Sequence, residues 1–142
     1  MKGIIAVMLV GLSTACADKT LMLACEGTKT EGSRGADRSY TERTEATSMS
    51  IVVNFAARTV TGFRQEERLL ELTIGETSET TISFAGSNST ATPRPLSFEM
   101  RGTIDRVTGS VEAHFASLDE DGVFEIWSNS YALKCKPIQR MF

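Results

Sequence analysis

Apolar residues recur at every second position through most of this chain beyond residue 20, a period that strands satisfy and helices do not. "TLMLACEGT" sets Leu21, Leu23 and Cys25 on one face, and "TSMSIVVNF" sets Thr47, Met49, Ile51, Val53 and Phe55 together. "LLELTIG" aligns Leu70, Leu72 and Ile74, and "TTISFAG" aligns Ile82 and Phe84. In "LSFEMRGTI", Leu96, Phe98, Met100 and Ile104 oppose Ser97, Glu99, Arg101 and Thr103. "SVEAHFASL" contributes Val111, Ala113 and Phe115, and "GVFEIWSNSYALKC" is the last and longest segment. These runs are rich in Thr, Val, Ile and Phe, which suit a half-buried pleated surface. No stretch keeps an apolar period near 3.6 residues long enough to make a helix.

The punctuation between runs is that of hairpins. In "IDRVTGS", Asp105 is placed to accept local amide hydrogen bonds, and Gly109 to take a left-handed conformation. Asp121-Gly122 repeats this chemistry, and "NFAARTVTGF" is expected to turn at Ala57-Arg58. Two longer polar segments are read as connections: "KTEGSRGADRSYTERTE" after the first strand and "GSNSTATPRP" before "LSFEMRGTI". The expected fold is all-β: an antiparallel meander closing into a small barrel, or a sandwich, of about seven to eight strands.

The first residues belong to a different kind of segment. "MKGIIAVMLVGLSTACADKT" has one lysine, an apolar run from Gly3 to Leu12, and Ala15-Cys16-Ala17 as a cleavage site before Asp18. The run is too short to span a bilayer, which takes roughly 20 apolar residues. Residues 1–17 therefore read as a signal peptide and 18–142 as a single β domain, periplasmic or secreted. An alternative keeps Cys16 as a lipid-attachment site, although Ser13 is a poor match three positions before it.

Once the leader is removed, only Cys25 and Cys135 remain of three cysteines, one near each end. In an oxidising compartment they are expected to form a disulfide joining the first and last strands. The chain-entropy model gives such a closure about 4–5 kcal/mol. The competing assignments are a metal site and a reactive thiol. Against a metal site stand the absence of C-x-x-C and the presence of a single histidine. Loss of Lys2 with the leader leaves 14 basic against 18 acidic residues. No basic face stands out, which argues against a nucleic-acid partner. No later run is apolar enough to cross a membrane, no cofactor or metal motif is present, and a monomer is the default expectation.

Few side chains suggest chemistry. His114 falls on the outward face of its strand with Glu112, and no G-x-S-x-G accompanies it. The acidic run Asp119 to Gly122, with Glu125 beyond, lacks the ligand spacing of a helix–loop–helix calcium site and reads as a hairpin tip. "NST" at Asn88 matches a glycosylation acceptor and is read as polar loop. The last strand is more specific. Counting back by twos from Cys135 gives Leu133, Tyr131, Asn129, Trp127 and Glu125 on the face that should point inward. In a barrel with interior space, Trp127, Asn129, Tyr131 and Glu125 are candidate ligand-binding residues: rings to stack, polar tips to orient. The competing reading is that the rings simply fill core.

"ACEGTKT", "IVVNFAARTVTGF", "GTIDRVTGSVEA" and the tail "YALKCKPIQRMF" together resemble uncharacterised small exported β-proteins of soil-dwelling alphaproteobacteria. The resemblance implies a periplasmic or secreted β-protein with one terminal disulfide, and it carries over no catalytic residue. A looser likeness, of architecture alone, is to periplasmic lysozyme inhibitors. The expected function is a non-enzymatic binding or interaction protein of the cell envelope, its partner a small ligand or an envelope protein. The alternative is an envelope-acting hydrolase, or an inhibitor of one, using carboxylates such as Glu99, Asp121 or Glu125.

Overall fold

The structure, a computed structural model, describes residues 20–65, 68–89, 97–119 and 125–138, without the side chains of 68, 88, 89 and 97. The leader with Cys16, the Asp121-Gly122 turn, most of "GSNSTATPRP" and the tail beyond Ile138 lie outside those residues. No helix long and apolar enough to cross a membrane occurs among the described residues.

Eight strands are described: β1 (Thr20–Arg34), β2 (Tyr40–Asn54), β3 (Thr59–Gln65), β4 (Arg68–Thr77), β5 (Thr81–Ser89), β6 (Ser97–Asp105), β7 (Ser110–Leu118) and β8 (Glu125–Pro137). Each pairs antiparallel with the next, and β8 pairs with β1, so the sheet closes on itself as a barrel rather than a sandwich. Cys25 and Cys135 sit directly opposite each other across that closing seam, Cα to Cα 4.0 Å, and are bonded. The bridge therefore ties the first strand to the last within the core, as the cysteine spacing predicted.

The alternation maps onto the wall as expected. Leu23, Ile51, Val53, Val60, Ile74, Ile82, Phe84, Ile104, Val111 and Leu133 are all buried, and most of these fill the end that holds the termini. Hairpin loops at that end are tied to neighbouring strands and to one another. Ile74 N–H donates to the Arg58 carbonyl, and Arg106 N–H to that of Thr80. Cys135 N–H donates to the carbonyl of Gly109. Asp105 Oδ1 accepts from the amides of Val107 and Thr108, both at 2.9 Å, and Gly109 adopts φ 74°. These two bonds hold the Asp105 carboxyl below its ordinary range.

One expectation is corrected. "KTEGSRGADRSYTERTE" is not a long connection: β1 runs on to Arg34 and β2 begins at Tyr40, with only residues 35–39 between them. The segment is polar on both faces: its β1 half, up to Ser33, pairs with β8 beside a polar part of the interior, and its β2 half pairs with β1 alone among the described residues. It is nonetheless a good hairpin, held by β1–β2 pairing along its whole length and by Thr30–Thr44 and Ser33–Thr41 hydroxyl contacts, each 3.0 Å.

Candidate functional site: a slot between two strands

The barrel wall is not continuous at the end opposite the termini. β2 pairs with β3 only from Val52 to Asn54, although β2 itself continues up to Tyr40. On the far side of the β3–β4 hairpin, β4 meets β5 only from Thr73 downward. The upper part of that hairpin therefore stands apart from the wall on both sides. Gly62 marks where the separation from β2 begins. It has φ 131°, and a Cβ there would collide with the Ser50 carbonyl, so only glycine lets the two strands pass this closely. The register then shifts between Thr61 and Arg64. This bulge turns Phe63 inward, where its ring packs on Phe84 (5.6 Å) and edge-on to Tyr131 (5.2 Å).

The resulting slot has a volume of about 480 Å³ and opens into the upper interior. Its floor is the inward row of β8, Trp127, Asn129 and Tyr131; Lys29, Thr47 and Met49 form one wall, and Gly62 and Arg64 the other. Three residues named from strand parity alone thus come together at one opening.

Each floor residue is held differently. Trp127 is edge-on to Phe115 at 5.6 Å, and its indole N–H donates to Glu31 Oε1 at 3.2 Å. The Tyr131 hydroxyl is pushed above its ordinary pKa, first by burial and then by the Glu31 carboxylate. Asn129 is only 4% exposed, and its Oδ1 has no hydrogen-bond partner. Buried acceptors are nearly always satisfied, so an unsatisfied amide oxygen on a residue that lines a cavity marks that cavity as unusual. At the rim, Lys29 reaches Glu45 at 3.4 Å and Glu31 at 4.0 Å. Arg64 has no ion-pair partner among the described residues, leaving one uncompensated cation at the mouth. A second space of about 270 Å³ opens between β4 and β5, lined by Leu72, Phe98, Met100 and Phe115 among others. Its polar lining, Gln65, Glu71 and Ser87, includes no buried unsatisfied atom among the described residues.

Glu125 is a correction. Strict alternation places it on the inward row, but β8 is irregular above Trp127: Ser117 faces Trp127 while Leu118 faces Glu125, so Ile126 is an extra residue. The bulge reverses the parity, and Glu125 lies on the outer wall, its Oε1 3.0 Å from His114 Nε2. His114 Nδ1 is hydrogen-bonded to Ser130 Oγ at 2.8 Å. A serine, a histidine and a carboxylate are thus adjacent, but on a half-exposed convex wall and outside the cavities described above. Among the described residues, neither of these two cavities adjoins the group to receive a substrate. Glu99 is paired with Arg101 at 3.5 Å on the same outer surface, and Asp121 lies outside the described residues.

The sequence reading overlooked Lys29, Glu31 and Arg64. They sit in segments without a periodic signal, and only the glycine of "TVTGF" hinted that the chain does something unusual beside them. Comparison with known proteins finds no matching family model, no matching curated protein and no matching solved structure.

Proposed function

We propose that this chain is an exported, non-enzymatic binding protein of the cell envelope that holds a small polar ligand in the slot between β2 and β3. The observation that carries the reading is the buried, unpartnered Oδ1 of Asn129, a residue that lines the slot together with Trp127 and Tyr131. An acceptor in that position favours a ligand bearing an O–H or N–H donor, with a flat or apolar portion lying against the rings. The leader-like residues 1–17 and the terminal disulfide support export to an oxidising compartment, periplasmic or extracellular, in keeping with the resemblance to small exported β-proteins.

The test uses the only tryptophan as reporter. The small-molecule fraction of a periplasmic extract is added to the purified protein, and Trp127 emission is read alongside native mass spectrometry. The expected result is a bound small molecule, a changed emission, and loss of both in Asn129→Leu. A native protein that carries nothing, with emission and melting temperature indifferent to the extract, would overturn the reading.

A further inference from the structure

The slot leaves a second consequence on its other side: among the described residues, the upper edge of β2 has no strand beside it. From Tyr40 to Ile51, β2 is paired with β1 alone among the described residues. The β3–β4 hairpin has already turned back by Arg68, and Arg64 lies across the slot from Thr47, so the part of β2 above Thr47 stands beyond it. An exposed row of unpaired amides and carbonyls is a template for another strand. Threonines at 41, 44 and 47 favour an extended chain, and no proline blocks the edge.

We propose that this edge pairs with the same edge of a second copy of the chain, antiparallel about a two-fold axis at Thr44. A two-fold axis perpendicular to the sheet sets one residue opposite itself and pairs the others symmetrically around it. With Thr44 on the axis, Arg43 faces the second copy's Glu45 and Glu45 faces its Arg43. An axis at Glu42, Arg43 or Glu45 instead sets like charges directly opposite, which is destabilising. The strand is thus self-complementary in one central register. Within a single copy, Arg43 and Glu45 lie on the same face 3.5 Å apart, with the Arg43 side chain 82% exposed. Arg43 is therefore free to exchange partners across a new seam, and Glu45, which Lys29 also reaches at 3.4 Å, would share its charge with the second copy's Arg43. The pairing sets the second copy's Thr41 across from Thr47, on the rim of the slot, so the second copy narrows the mouth without entering the floor. The inference does not depend on what the slot binds.

The experiment is a charge swap followed by size-exclusion chromatography with light scattering over a concentration series. The wild-type protein is expected to shift from monomer to dimer as concentration rises. Arg43→Glu and Glu45→Arg should each weaken self-association about tenfold or more, since each replaces two attractive pairs with two repulsive ones. An equimolar mixture of the two variants should restore a heterodimer, because every opposed pair is again of unlike charge. Hydrogen exchange of the Thr41–Thr47 amides should slow with concentration in the wild type and in the mixture, but in neither variant alone. Unchanged far-UV circular dichroism and Trp127 emission confirm that the variants are folded. The proposal is overturned if the wild type stays monomeric throughout, if either reversal leaves the dimer intact, or if mixing restores nothing.

Discussion

Asn129 is the residue whose side chain is hardest to explain by stability alone. A leucine of similar size would remove a buried acceptor that bonds to nothing in the free protein. Asn129→Leu is therefore expected to leave stability unchanged or raise it by about 1 kcal/mol in urea unfolding, while abolishing ligand capture. A loss of several kcal/mol would show instead that the amide is structural. Tyr131 makes a prediction about pH. Its folded pKa lies above the ordinary value of 10.0, because burial and Glu31 disfavour the phenolate. The raised value means that the neutral phenol's contribution is complete below the unfolded pKa and is lost as pH rises through the folded one. Denaturant titrations from about pH 9 to 11 should show the wild type losing stability faster than Tyr131→Phe. Parallel curves would remove Tyr131 from the account. Parity alone identified both residues, since counting by twos from a cysteine needs only one strand. It failed at Glu125, two positions beyond Trp127, because a bulge is invisible to counting.

At the scale of elements, the informative ones are those where strands part. Gly62 combines a φ of 131° with a Cβ position blocked by the Ser50 carbonyl. Gly62→Ala is expected to cost about 1–3 kcal/mol and to perturb the slot, read as a lower melting temperature with altered Trp127 emission. At the opposite end, the Asp105 turn makes a prediction of the other sign in pH. Its carboxyl is held below 3.8 by the Thr108 and Val107 amides. Its contribution is thus present above the unfolded pKa and fades as pH falls through the folded one. Asp105→Asn keeps an acceptor but should flatten this acid limb; an unchanged acid profile would refute the assignment. Turns of this kind were legible because Asp and Gly act locally. The long β1–β2 hairpin was not, because a strand polar on both faces carries no periodic signal and is defined by its partner.

For the molecule as a whole, the decisive element is the closing seam. The bond between Cys25 and Cys135 spans 110 residues and joins the two ends of the meander. The paired change of Cys25 and Cys135 to Ala should lower stability by about 2–5 kcal/mol, measured by denaturant unfolding under oxidising conditions. Intact mass of protein taken from its own host should begin at Asp18 and be two hydrogens lighter than the reduced form. A diacyl addition at Cys16 would place the chain on a membrane surface instead. The apolar cores of β1, β2 and β4 to β8, the inward set Trp127, Asn129 and Tyr131, the Asp105 turn and the terminal bridge follow from the sequence by itself, because alternation, turn chemistry and cysteine count are local or arithmetic properties. Barrel against sandwich, the slot beneath β3, the outward turn of Glu125 and the free edge of β2 were decided only by tertiary structure. Each depends on where one strand stops pairing with another, and that is set by bulges and by hydrogen-bonded partners distant in the chain, which no single strand's pattern contains.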